Sequence, residues 1–385
     1  MRCRLKALPA ALIAFALAAG ASAYAAPAPI KIGAIFGVTG SAAYLGAPED
    51  KTARMVVDEI NRSGGILGRQ VQLIVKDSGG SSEKAISFAK QLIDEEEVVA
   101  IIGPTTSGES LAIKDICIKG KTPLLSCASA ETITTPVSKY VFKVAPKDNY
   151  VAEWIYKTMN QLGIKKIGVI ASNTGFGNGG KSQLEKYAAQ YGITIAISEV
   201  YDANATDLSA LLTKVNAAGV QAVVNWSIEP VQSLVAKNMK QLKMNQQLFQ
   251  SHGFANIKYV EAAGAAAEGI IFPCGRLIVA DQLPDSNPQK KLLVKYSTDY
   301  KKAYGEDAST FGGHAYDTLY ILKAAIEAAK STEPDKVAAA IEALQGFSGD
   351  GGIFSFSSSD HNGLQMDSIE MMTVKNGKFV QYKGK

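Results

Sequence analysis

Apolar residues along this chain fall into two alternating rhythms. Short apolar or alternating runs at 30–36, 71–77, 99–102 and 124–126 read as strands. Between them apolar positions recur at helical spacing, as at Ala53, Val56, Val57 and Ile60, which predicts helices at about 48–62, 81–94 and 107–119. From residue 148 the rhythm begins again: helix 148–162, strand 167–171, loop 172–180, a helix to 191, strand 193–200, helix 208–217, strand 222–226, helix 231–242 and strands at 248–250 and 269–272. Helices at about 290–304, 312–329 and 335–344 follow without strands between them. Residues 368–374 and 378–382 predict a hairpin about Asn376-Gly377. Strands alternating with helices imply parallel sheets covered by helices, an α/β architecture, and the repetition implies two similar lobes. No low-complexity linker separates the halves, so several short crossings are expected.

The first residues break this pattern. Arg2, Arg4 and Lys6 precede an apolar run at 7–19, and Ala23-Tyr24-Ala25 supplies a small-x-small cleavage site, the three-part form of a secretory signal peptide over residues 1–25. No later stretch is long enough to cross a bilayer. The whole chain of 385 residues carries 40 basic and 36 acidic side chains. Removing the leader takes three basic residues and no acidic ones, leaving a nearly neutral protein. No basic stripe points to nucleic acid. Cys117, Cys127 and Cys274 remain, an odd number for an exported protein, and buried thiols are expected.

Candidate chemistry gathers at strand ends, where open parallel sheets bind ligands. The run at 99–102 ends at Gly103-Pro104, and Thr106 with Glu109 three residues on forms a capping box for the next helix. A helix start offers unpaired amides and a positive dipole end, so with the hydroxyls of Thr105, Thr106 and Ser107 it could hold an anion. The same cap would serve an ordinary helix start, and both readings stand. Tyr44 lies in a Gly/Ser/Ala loop, and Phe176 sits between two glycines in a loop that matches a dinucleotide fingerprint only loosely. Trp226 and His252 each follow a strand, suited to a ligand with an apolar or ring-shaped body, although Trp226 could equally cover the core. Phe311-Gly312-Gly313-His314 opens a helix with room either for close approach to a ligand or for helix packing. The three histidines share no metal-like spacing, and no nucleophile elbow singles out a serine, so neither a metal nor a catalytic set is expected.

In order and spacing, several motifs resemble those of the periplasmic solute-binding proteins of branched-chain amino acid ABC transporters, the leucine/isoleucine/valine-binding type. They are Ile30-Lys31-Ile32-Gly33, Asp58-Glu59-Ile60-Asn61 with Gly64-Gly65-Ile66, Ile102-Gly103-Pro104, Pro123-Leu124-Leu125, Glu268-Gly269, Tyr316-Asp317, and Phe356 with Asp360-His361-Asn362-Gly363. The resemblance covers nearly all of the chain after the leader. It implies a type I periplasmic binding protein fold, with two lobes of mostly parallel sheet flanked by helices and three inter-lobe crossings. Lobe 1 would comprise 26–145 plus 275–355, and lobe 2 would comprise 146–274 plus 356–385. It also implies a periplasmic, non-enzymatic monomer without cofactor that closes on a small molecule and hands it to the permease subunits of an ABC transporter.

By position, Ser107 matches the family's carboxylate-binding serine, with Thr105 and Thr106 beside it. Ala128, Ser129, Ala130 and Glu131 match a segment of further contacts, Tyr44 or Leu45 a ring contact, and Phe176 and the 226–228 segment contacts from the second lobe. His252 stands where amino-acid-binding members carry a glutamate for the ligand's ammonium group. Ser78 stands where one partner of a cysteine pair is often found. The implied ligand is therefore a small carboxylate-bearing molecule, an amino acid or an aromatic or aliphatic acid. A signalling receptor lobe or a periplasmic enzyme remain the alternatives from other classes.

Overall fold

Strand β1 (Ile30–Phe36) is almost wholly buried, and it pairs in parallel with β2 (Val71–Asp77) on one side and β3 (Ala100–Ile102) on the other. The computed structural model in which these strands are seen describes residues 27–384, so the expected signal peptide lies outside the described residues. With β4 (Leu124–Ser126) and β5 (Val141–Lys143) they form a parallel sheet in the order β2-β1-β3-β4-β5. Parallel neighbours need crossover connections, supplied here by α1 (Ala43–Arg62), α2 (Ser82–Lys90) and α3 (Ser107–Lys119). Ile32, Phe36, Val56 and Ile102 fill the core on one face, and Ile35, Leu92, Ile101 and Ile113 fill the other. Each such side chain contributes about 1.5–3 kcal/mol on burial.

The second lobe begins with α4 (Asp148–Gln161) and β6 (Lys166–Ser172), then α5 (Gly175–Ala188), β7 (Thr194–Tyr201), α6 (Ser209–Ala217), β8 (Ala222–Trp226), α7 (Val231–Gln241), β9 (Gln247–Gln250), α8 (Ile257–Ala263) and β10 (Ile271–Cys274). The chain then returns to the first lobe through α9 (Lys290–Tyr304), α10 (Thr310–Ala329), α11 (Pro334–Glu342) and the small hairpin of β11 (Phe347–Ser348) and β12 (Ile353–Phe354). It ends on the second sheet as the antiparallel pair β13 (Glu370–Lys375) and β14 (Lys378–Gln381), giving the order β14-β13-β10-β9-β8-β6-β7. Asn376 and Gly377 both take positive φ, 52° and 69°, as the predicted hairpin turn requires.

The chain passes between the cores three times, after β5, after β10, and between Leu364 and Ile369. Phe356 and Leu364 pack with the first core, beyond the boundary at 355 expected from sequence, because their apolar side chains join Phe354 against the helices of that lobe. Two element starts also differ from expectation. Helix α1 begins at Ala43, not near 48, so Tyr44 lies in its first turn. Helix α5 begins at Gly175 inside the predicted loop, because the Thr174 hydroxyl accepts the Gly177 N–H at 3.2 Å. The three cysteines are buried free thiols, as expected.

Candidate functional site

The carboxyl ends of the two sheets face each other across a tight cavity with room for about 20 Å³, little more than one water needs. The first lobe contributes Leu45, Thr105, Ser107, Cys127, Ala128 and Ser129. The second contributes Phe176, Ile228, His252 and Gly253, while Ala145 comes from the first crossing and Phe311 and His314 from α10.

Ser107 is the first residue of α3. The capping box forms in full: Thr106 accepts the Glu109 N–H at 3.3 Å, and the Glu109 carboxylate accepts the Thr106 N–H at 3.1 Å. Amides of a first turn have no intrahelical acceptor, so those of Ser107 and Gly108 remain uncommitted by the helix. The Ser107 oxygen accepts the Ala130 N–H at 3.2 Å, which leaves its own proton free to donate elsewhere. Thr105 differs, because its hydroxyl donates to Glu49 and accepts the Gly37 N–H at 2.9 Å. It borders the cavity with both capacities in use. Glu49 is buried and its pKa is raised well above the ordinary carboxyl range by that burial.

Behind this wall lies Lys143, fully buried at the end of β5, whose ammonium donates to the carbonyls of Ser129 (2.5 Å) and Ala130 (3.3 Å). Burial lowers its pKa, and the Asp148 charge partly offsets that. These bonds pin the 128–130 segment, whose hydroxyl and amides therefore need little ordering when a ligand arrives.

The opposite wall is built of rings. His252 meets Phe176 edge-on at 5.3 Å and Trp226 edge-on at 5.9 Å, and its Nε2 lies 3.1 Å from the Ser129 hydroxyl of the first lobe. Burial pushes the His252 pKa down to about 3, with His314 and Lys143 adding to the effect, and burial pushes His314 down to about 4. Both imidazoles are neutral at physiological pH. Asp148, 3.9 Å from His252, is driven up to about 7 by burial, partly offset by Lys143.

Of the residues singled out from sequence, Thr105, Ser107, Ala128, Ser129, Phe176 and His252 border the cavity together. Tyr44, Thr106, Ala130, Glu131 and Trp226 do not border it. Because α1 starts early, Leu45 takes the wall position. Tyr44 instead packs edge-on to Tyr259 at 5.2 Å. Pro48 has no N–H for the carbonyl four residues back, that of Tyr44, which accepts instead from Asn256 Nδ2 of the second lobe at 2.6 Å. Thr106 faces a separate surface crevice with Ser41, Ser82 and Asn204. Ala130 acts through its amide on Ser107, and Glu131 accepts from the Thr135 hydroxyl at 3.0 Å. Trp226 is fully buried behind Phe176, where a Cβ on Gly180 would fall 1.9 Å from its ring. Ile228, from the expected 226–228 segment, also borders the cavity, whereas Cys127, Ala145, Gly253, Phe311 and His314 were not named as contacts. For the last two, the paired glycines were the available signal: Gly312 and Gly313 lie against Tyr296 and Asp350, while Phe311 and His314 border the cavity.

Two α/β halves joined by three crossings, with a small enclosed cavity at the strand ends of both, define a type I periplasmic binding protein. The sequence pattern of the family described as "Periplasmic binding protein" matches residues 29–378, and the chain belongs to that family. A leucine-, isoleucine-, valine-, threonine-, and alanine-binding protein of Pseudomonas aeruginosa is 28% identical over 333 residues, 86% of this chain and 86% of the relative. An extracellular ligand-binding receptor from Rhodopseudomonas palustris HaA2 superposes with a TM-score of 0.87 at 28% identity, over 92% of this chain and 100% of that one. The branched-chain amino acid transporter substrate binding protein of Streptococcus pneumoniae, solved in complex with isoleucine, gives a TM-score of 0.81 at 27% identity, over 91% and 97% of the two chains. The family is one of solute-binding proteins rather than enzymes. Among the described residues no helix is long and apolar enough to cross a membrane, and no cluster of His, Cys, Asp and Glu suits a metal ion.

Proposed function

We propose that this solute-binding protein captures a small carboxylic acid with an apolar or aromatic body and no ammonium group. It would deliver that acid, as a periplasmic monomer, to the permease subunits of an ABC importer. The observation that carries the reading is the make-up of the cavity wall: among the described residues no Asp, Glu, Lys or Arg borders it, and its two imidazoles are held neutral. An anion would be met by the Ser107 hydroxyl and the amides at the start of α3, helped by the helix dipole. A buried ammonium would find no carboxylate on the cavity wall, a cost of several kcal/mol. Closure would bring the His252 face down onto Ser129, with Phe176 and Ile228 covering the body. Lobe 1, extended to Leu364, and lobe 2 would be the two moving bodies.

The names of the relatives favour a second reading, an α-amino acid of leucine size. The two part on one measurement, calorimetric titration of 4-methylpentanoate and phenylacetate against leucine. The acids are expected to bind more tightly than leucine by a factor of at least ten. Tighter binding of leucine would transfer the assignment to the amino acid.

A further inference from the structure

A second buried space adjoins the first. It has room for about 10 Å³, about what one small polar group needs, and is bordered by Pro146, Cys274, Thr310 and Asp350, with His252, Phe311 and His314 forming the partition that borders both cavities. Buried polar atoms in native proteins nearly always have partners, so those without one call for an explanation. Three gather here: among the described residues His252 Nδ1, His314 Nδ1 and Asp350 Oδ1 are buried with no hydrogen-bond partner. Their side chains are 6%, 5% and 2% exposed.

From this juxtaposition, and resting on the acid reading above, we propose that the ligand has two polar ends. Its carboxylate lies at the start of α3, and a neutral hydroxyl at the far end of an apolar body is recognised by His314, His252 and Asp350 in the adjoining space. The chemistry selects a neutral group over a charged one. With His252 Nε2 engaged by the Ser129 hydroxyl, each neutral imidazole has its Nδ1 to offer, as donor or acceptor according to tautomer, and a hydroxyl can serve either. Asp350 is fully buried beside Asp317, whose carboxylate already accepts the Asp350 and Gly351 N–H groups at 2.6 and 2.8 Å. Burial and the neighbouring Asp317 raise the Asp350 pKa well above the ordinary carboxyl range, which disfavours a formal charge there. A site whose buried polar groups are paired only by a ligand hydroxyl discriminates strongly against the analogue that lacks it.

The test is calorimetric titration of the purified chain with three pairs of acids: benzoate and 4-hydroxybenzoate, phenylacetate and 4-hydroxyphenylacetate, hexanoate and 6-hydroxyhexanoate. In at least one pair the hydroxylated member is expected to bind about tenfold more tightly or better, and this comparison depends on no variant folding. His314→Phe should bring that ratio to about one, and His314→Gln, which can still donate and accept, should restore part of it. The parent acids binding with no gain from the hydroxyl in any pair, or the gain surviving in His314→Phe, would overturn the two-ended ligand while leaving the acid reading intact. Failure of every parent and hydroxylated acid to bind, with leucine binding, would overturn the acid reading itself.

Discussion

The two walls of the cavity solve different problems with different materials. The first lobe lines it with small residues, Ser107, Ala128 and Ser129, the last two on a segment anchored from behind by the buried Lys143. The second lines it with bulk: Phe176, Ile228 and His252, backed by Trp226. The difference teaches how a neutral-walled site can hold an anion. On the proposed reading, charge would be met by backbone amides, a hydroxyl and a helix end that are ordered before binding, and the rings would exclude water once the halves meet.

If the rings carry most of the affinity by desolvation, Phe176→Ala should have the largest effect, about 2–4 kcal/mol in calorimetric binding, with far-UV circular dichroism to show that the fold survives. A smaller loss than that of the serine variant would invert the comparison. Ser107→Ala removes a donor to the carboxylate and should weaken acid binding by about 1–3 kcal/mol. It should hardly change binding of the corresponding amide, and equal losses for acid and amide would mean that the hydroxyl does not meet charge. The smallest effect belongs to the contact between halves away from the ligand. Asn256→Ala removes the donor to the Tyr44 carbonyl and should cost about 0.5–1.5 kcal/mol of affinity by leaving the closed form less favoured. It should raise the dissociation rate more than it lowers the association rate, and stopped-flow kinetics would report that split.

Much of the architecture was legible before any coordinates. Strands 30–36, 71–77 and 222–226 and the Asn376-Gly377 turn stand where pattern and turn chemistry put them, and the Thr106–Glu109 capping box forms both of its bonds. His252 could be singled out because it follows a strand that ends at the cleft. What misled was local ambiguity. A proline usually marks a helix start, but Pro48 sits inside α1, and this moved Tyr44 off the cavity and Leu45 onto it. Trp226 closes strand β8 as expected, yet Gly180 leaves a hollow that draws the ring back into the core.

Periodicity and caps alone determined the α/β rhythm, the two lobes and the helix start at Ser107, because each depends on residues within a few positions of one another. Which side chains share the cavity was decided only by the tertiary structure. Phe311 and His314 reach it from a helix some 200 residues beyond α3. The neutrality of the two imidazoles arises from burial by both lobes together, a property that no stretch of sequence possesses by itself.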